Sequence, residues 1–357
     1  MKILYSGYHN PHYETVTEYT EAAIRALGHE LIIYDDRHHV IPGRIRHRIP
    51  WAHRLDLVVI NHRLLRLARE EHPRVVIVSG GERILKETVR ALQQSGTTAV
   101  LWTIDAPSGG WEVSRSAPVY DHVFCQGSEA VELLERSGLA RARWLPVGCD
   151  PASHHPVEVT DEEVRLFGGD VVFVGSWYPE RAALFERLCA YDLAVWGPGW
   201  EMLPKDSAVR RHLRGAHTTP ADWRKIYSAS GIVLATHYHD PTGSYPVYQA
   251  SPRVFEALAC GAFVLCDRQR DVLALFRDGE HLVCFSDGDD LVEKVRYYLA
   301  HEEERQAIAR QGRAEVLSRH TYVHRLRELL AAVGTQEGGL DHCRAAETFG
   351  RRAGAGA

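Results

Sequence analysis

The sequence predicts an α/β protein made of two tandem, doubly wound parallel-sheet domains facing a cleft. Three observations carry that expectation. Short apolar runs alternate with helix-length amphipathic segments almost from end to end, the pattern of strands covered on both faces by crossover helices. The alternation pauses once, across CDPASHHPVEVTDEEVRLFGG at 149–169, and then restarts. A chain of 357 residues also exceeds one ordinary core and suits two domains.

In the first half the runs KILYS, LIIYD, LVVI, VVIVS, AVLWTID, HVFCQ and WLPVG read as strands. TVTEYTEAAIRAL, ERILKETVRALQQ and EAVELLERS between them carry helical spacing. Together they predict a first domain over 1–150. The segment 151–169, with two prolines, a histidine pair and an acidic cluster, reads as an interdomain connection. A second domain over 170–320 follows from VVFVGS, LAVWG, GIVLAT, AFVLCD and HLVCFS, with helices at PERAALFERLCAY, PADWRKIYSAS, SPRVFEALAC, DDLVEKVRYYLA and EEERQAIARQGRAEVLSR. A terminal helix over 321–333 is expected to pack back on the first domain, and the glycine- and alanine-rich 334–357 reads as a loose tail.

Apolar content of 45% and charged content of 25% are those of a soluble globular chain. No run of eighteen apolar residues occurs, and MKILYSGYHN reads as a first strand rather than a signal peptide. A cytoplasmic protein is expected. A net charge of −5 argues against a nucleic-acid partner. The seven cysteines include no C-x-x-C pair, so neither a disulfide framework nor a zinc site is expected. Charge is nevertheless uneven: RHHVIPGRIRHRIPWAHRL at 37–55 holds five arginines, four histidines and no acid. It reads either as a solvated basic loop or as a basic amphipathic surface in peripheral contact with anionic lipid or an anionic acceptor.

In open parallel sheets ligands bind beyond the carboxyl ends of the strands, so the loops SGYHNPHY, SGGER, DAPSGG, VGSWYPER, GPGW and THYHDPTG are where chemistry is sought. The common nucleotide signatures are missing. There is no G-x-x-x-x-G-K-S/T, and GPGWEM at 197–202 has methionine where a dinucleotide fingerprint has its third glycine. SPRVFEALACGAFVLCD at 251–267 is more telling. Ser251 is an N-cap type and Pro252 suits the first helical position. Arg253 then falls at N2, where the helix dipole opposes a cation by about 0.3–1 kcal/mol. An anion docked there would reverse the sign, shared by free backbone N–H groups and the guanidinium. Glu256, three residues on, could accept two hydrogen bonds from a ribose diol; a local Arg253–Glu256 ion pair is the alternative. VVFVGSWYPER supplies a second helix start with a small-residue approach, Gly175-Ser176, and a cation, Arg181. Two such sites in one domain favour a diphosphate.

From DHVFCQGSEAVELLERSG with LPVGCDP, through VVFVGSWYPER, LAVWGPGW and ADWRKIYSASGIVLAT, to SPRVFEALACGAFVLCD and DGEHLVCF, the chain resembles glycosyltransferases of the two-Rossmann-domain GT-B architecture. The likeness is to their CgeB-like group and covers about 120–330. It implies transfer of a sugar from a nucleoside-diphosphate-sugar donor, which is substrate rather than cofactor. Gly175, Ser176 and Arg181 would approach the diphosphate, Arg253 would add charge, and Glu256 would hold the ribose. Gly197 in the GPGW turn, His217 and Thr218 would lie near the base. Many retaining members carry E-x7-E; here Tyr248 stands eight residues before Glu256, so stereochemistry does not carry over.

Arginines and helix termini can neutralise a leaving diphosphate without a metal. An inverting route also needs a base from the first domain. Asp105 in LWTIDAPSGG is the first candidate, with His9 and His12 of SGYHNPHYET next. The cluster His237, Tyr238, His239, Asp240 lacks a third ligand motif and is read as lying near the donor sugar rather than at a metal. The acceptor, whether glycan, lipid-linked or small molecule, is not specified. Two other readings stand beside transfer: a sugar-nucleotide epimerase or hydrolase of the same architecture, and a non-catalytic nucleotide-sugar-binding module.

Overall fold

The structure is a computed structural model, and it describes residues 1–334 apart from His12, His47, Ala106, 108–112, Pro241 and Thr242. Two six-stranded sheets order the chain, and every named pairing in them is parallel. The first contains β1 (Lys2–Gly7), β2 (Glu30–Asp35), β3 (Val75–Ser79), β4 (Thr98–Thr103), β5 (His122–Cys125) and β6 (Ala142–Trp144), in the order β2-β1-β3-β4-β5-β6. The second contains β7 (Gly169–Val174), β8 (Leu193–Trp196), β9 (Leu213–Gly215), β10 (Ser230–Ala235), β11 (Val264–Asp267) and β12 (Val283–Phe285), in the order β12-β11-β10-β7-β8-β9. The doubly wound α/β expectation is met. Central strands such as Val75–Val78 and Ile232–Ala235 are wholly buried, because helices cover both faces.

Chain order reverses between β1 and β3 in the first sheet and between β7 and β10 in the second. Loops diverge at such points and leave a crevice beyond the strand ends. These two places matter below.

Three local readings change. LVVI at 57–60 lies inside a 22-residue helix, Pro50–Glu71, rather than in a strand. Ala52, Asp56, Ile60, Leu64 and Ala68 recur every fourth residue on its buried side, and that helical period outweighs the strand preference of a short β-branched run. Leu213–Gly215 adds an edge strand where no apolar run predicts one. The connection also holds a short helix, Asp161–Phe167, with a Thr160–Glu163 capping box.

The chain returns at its end. Tyr322 donates its N–H to the Cys149 carbonyl at 3.0 Å, and Cys149 donates to His320 at the same distance. Residues 322–334 are helical; Leu326, Leu329 and Val333 share one core cluster with Tyr19 and Ile24 near the first sheet and with Phe255 and Leu258 near the second. Beyond β5, three further bonds tie the halves together: Gln126 Nε2 to the Ala250 carbonyl (3.3 Å), Ser128 Oγ to Asp271 (2.6 Å), and the Tyr248 N–H to Glu129 (3.2 Å). No helix among the described residues is long and apolar enough to cross a membrane.

Candidate active site

The end of β7 is shaped for close approach. Gly175 donates its N–H to the Trp196 carbonyl at 2.8 Å, and its own carbonyl accepts the Trp200 indole N–H at 2.9 Å. A Cβ on Gly175 would collide with the Arg253 guanidinium and the Phe173 ring. Gly197, at the end of β8, has φ +132°, and a Cβ there would overlap the Gly175 carbonyl. Glycine is thus required at Gly197, and a side chain at Gly175 would have to displace Arg253 and Phe173, which leaves backbone at the crevice.

Two guanidiniums stand at this turn. Arg253 lies over Phe173, 4.9 Å from the ring centroid, with Nη1 3.5 Å from the Thr236 carbonyl at the end of β10. Arg181 is buried, and donates Nη1 to the Ser176 carbonyl at 2.8 Å and Nη2 to the Thr236 carbonyl at 2.9 Å. Neither forms an ion pair with a carboxylate among the described residues. Burial, then the neighbouring Arg253 charge, lowers Arg181 to about 10. Its Nε and the Thr236 hydroxyl are buried without a partner. Arg181 therefore differs from its expected place. It staples two strand-end carbonyls from behind, and Arg253 is the cation on the cavity wall.

The helix Pro252–Ala259 begins here, and its cap also differs from expectation. The Ser251 side chain caps nothing. Instead the Ser251 N–H is accepted by His237 Nε2 at 3.0 Å, and His237 Nδ1 meets Asp267 Oδ1 at 2.6 Å. Both ring nitrogens are thereby engaged within the protein. Burial pushes Asp267 upward, but His237, His239 and Gln269 together hold it far below the usual carboxylate range. His239 Nε2 sits 3.2 Å from the same carboxylate, a bond that raises its pKa. Beside it Tyr238 packs on Tyr178, with ring centroids 5.2 Å apart.

The Glu256 carboxylate has no hydrogen-bond or ion-pair partner among the described residues, so the local pair with Arg253 does not form. Burial raises its carboxyl to about 7, against the pull of Arg253. Glu256 and Arg253 face a cavity of about 340 Å³ together with Gly175, Ser176, Gly197, His217 and Thr218. Tyr13 of the first domain closes one side, edge-on to Trp223 at 5.9 Å. Thr218 Oγ1 accepts the Trp223 indole N–H at 2.6 Å, and His217 is exposed at the rim. Of the nine donor-side residues expected from sequence, all but Arg181 and Ser251 line this one cavity.

A second cavity of about 180 Å³ opens at the first-sheet reversal point. Tyr8, Asp36, Arg37, Gly80, Arg83 and Asp105 are among its lining residues. The sequence reading missed Asp36. It is buried, and desolvation raises it to about 6 although Arg83 and Arg37 pull it down. Its signal was present in LIIYDD, a carboxylate just past a strand's carboxyl end. Asp105 is exposed on the same rim. His9 lines neither cavity; its Nε2 is 2.7 Å from Glu21 Oε1, because Glu21 is buried and needs a partner. His12 lies outside the described residues. Segment 8–17 walls both cavities, giving Tyr13 to one and Tyr8, Thr15 and Thr17 to the other.

Residues 181–331 match the family described as glycosyl transferase-like. Over 261 residues the chain is 22% identical to the spore protein CgeB of Bacillus subtilis, covering 70% of this chain and 80% of that one. Among solved structures, Anabaena HepE in complex with UDP-glucose superposes with a TM-score of 0.64 at 12% identity, covering 94% of this chain and all of HepE. Sucrose-phosphate synthase from Thermosynechococcus elongatus gives 0.64 at 14% identity, covering 97% and 99%. Residues 181–331 thus resemble a glycosyl transferase-like family, and the two-sheet architecture is the GT-B fold of these neighbours.

Proposed function

We propose that the protein transfers a sugar from a nucleoside-diphosphate donor to an acceptor held by the first domain, without a metal. One observation carries the reading: seven residues singled out for a diphosphate and its nucleoside meet in one cavity at the strand-order reversal of the second sheet. A diphosphate brings two or more negative charges to a place with two unpaired guanidiniums. Arg253 would touch it, and Arg181 would hold the Gly175-Ser176 turn and add field from behind. The N–H groups at the start of Pro252–Ala259 would share the anion. As the glycosidic bond breaks, charge accumulates on the leaving diphosphate, and fixed positive groups are worth most at that moment. Glu256, ionised, would accept from the ribose hydroxyls.

The acceptor would enter the first-domain cavity, with its hydroxyl toward Asp36. A carboxyl near 6 is ionised at neutral pH, yet basic enough to take a proton as the new bond forms. Asp105 on the same rim would orient the acceptor.

Thermal unfolding with UDP, GDP, TDP and ADP sugars tests the donor site. A matching donor at ~100 Kd adds about 2.7 kcal/mol, and the reading fails if none raises the transition. Consumption of donor without any acceptor would indicate an epimerase or hydrolase. Tight binding with no turnover would indicate a sensing module.

A further inference from the structure

We propose that the outer face of the Pro50–Glu71 helix, with the Gly43–Arg46 turn before it, docks on an anionic lipid bilayer. Trp51, Leu55 and Val58 are spaced i, i+4, i+7 along the helix and are 67%, 50% and 54% exposed. They form one stripe opposite the buried row Ala52, Asp56, Ile60 and Leu64. Ile45, 46% exposed, extends the apolar face into the preceding turn. An unpartnered tryptophan and leucine on a surface helix are costly in water and favoured at a bilayer interface.

Asp56 explains how this face is built. Its Oδ1 accepts the N–H groups of Val40 (2.8 Å) and Ile41 (3.1 Å), and its Oδ2 meets His39 Nδ1 (2.5 Å) and Arg46 Nη1 (3.2 Å). Burial opposes ionisation, but these four partners outweigh it and hold the carboxyl at about 2. The nearest acid is therefore turned inward and spent on folding segment 39–46 against the helix. Arg44, Arg48 and Arg54 are left on the outside, with no carboxylate partner among the described residues. The surface is cationic and apolar at once.

The occupant follows from that pairing. A second copy docked by a two-fold axis would set this cationic face against itself. An apolar groove on a partner would not call for exposed arginines. A planar, negatively charged interface suits both, taking indole and leucine at headgroup depth and arginines at the phosphates. The exposed apolar stripe occupies the first turns of the helix, and with no helix among the described residues fit to cross a membrane, this end would lie on such a surface. Its basic segment starts at Arg37, which lines the first-domain cavity, so an acceptor carried by the same bilayer would arrive beside Asp36. That placing of an acceptor rests on the transfer reading; vesicle binding does not.

Flotation of the full chain with vesicles of phosphatidylcholine alone, and of phosphatidylcholine mixed with phosphatidylglycerol, decides the matter. Binding is expected to the mixed vesicles, weakening as salt rises. The triple variant Arg44→Gln, Arg48→Gln, Arg54→Gln should lose about fivefold per arginine, on the order of a hundredfold together. Trp51→Ser with Leu55→Ser should lose binding with all charges kept. Fluorescence supplies a second measurement: a blue shift on adding mixed vesicles in the wild type, and none in Trp51→Phe. Equal binding to neutral vesicles, unaltered binding by the folded variants, or no binding by the wild type overturns the proposal. So does a dimer in solution that Trp51→Ser dissolves.

Discussion

Glu256→Gln should make the empty protein more stable and a poorer donor binder, and both effects can be sized. Burial raises the Glu256 carboxyl from an ordinary 4.5 to about 7. The folded state then holds its proton more tightly than the unfolded chain does. Stability is undiminished below pH 4.5, falls as pH rises from there, and has lost its full share above pH 7. A shift of about 2.5 units at about 1.36 kcal/mol each puts the cost of the ionised group near 3 kcal/mol at pH 8. At pH 5 the same linkage leaves about 0.8 kcal/mol. Glutamine keeps the shape and removes the charge. Its advantage in denaturant unfolding should therefore grow by about 2 kcal/mol between pH 5 and pH 8. Donor affinity should move the other way. Losing a charged acceptor for the ribose hydroxyls costs about 1.5–3 kcal/mol, a factor of about 10–100 measured by calorimetry at pH 8. A pH-independent difference between the two proteins would show that the carboxyl is not strained by burial. Unchanged donor affinity would show that it does not hold the ribose.

Arg253→Ala should weaken donor binding at least about tenfold and flatten its salt dependence, with the fold intact by circular dichroism. Arg181→Ala should lower unfolding stability by about 2–4 kcal/mol, because the Ser176 and Thr236 carbonyls lose their donors in a buried place. Equal stability loss in the two variants would contradict the division between contact and staple. Asp36→Asn should lower kcat about 10²–10⁴-fold while leaving donor affinity within about twofold. In the wild type the rate should fall as pH drops through about 6, where Asp36 takes up its proton; a profile without that limb excludes it as the base.

The layered α/β plan was legible because its signal is local: apolar strand runs and amphipathic helices repeat along the chain. The cavity proposed for the donor was legible for a related reason. Gly175, Gly197 and Glu256 sit at strand ends or on the first turns of a helix, and the position of an element's end can be read from sequence. What failed needed direction or distance. Arg181 was placed at the correct helix start, yet its side chain runs back under the turn to β7 and β10, which spacing cannot reveal. Ser251 had the composition of a cap, but its hydroxyl caps nothing; its own N–H is taken by His237, fourteen residues earlier and oriented by Asp267 on β11. LVVI had strand composition, and only the buried row on either side of it made a helix.

Glu256 also joins the halves of the molecule. Its charge is felt by Tyr19 of the first domain, by Tyr227, and by Tyr322 of the returning terminal helix, each already pushed upward by burial. Those three phenols are kept neutral, and the cost of an ionised Glu256 is its own burial. A ribose that satisfies the carboxylate relieves that burial cost, at a place beside Tyr19, Tyr227 and Tyr322 where both halves and the last helix meet. Tyr13, on the segment that walls the two cavities, closes over the same site. Donor binding should accordingly tighten the contact between the halves and settle the wall of the acceptor cavity before an acceptor arrives. Hydrogen exchange of residues 8–17 and 322–334 should slow on adding the matching donor to the wild type, and should slow less in Glu256→Gln at saturating donor. Protection confined to the second sheet would mean that the two cavities are neighbours without being coupled.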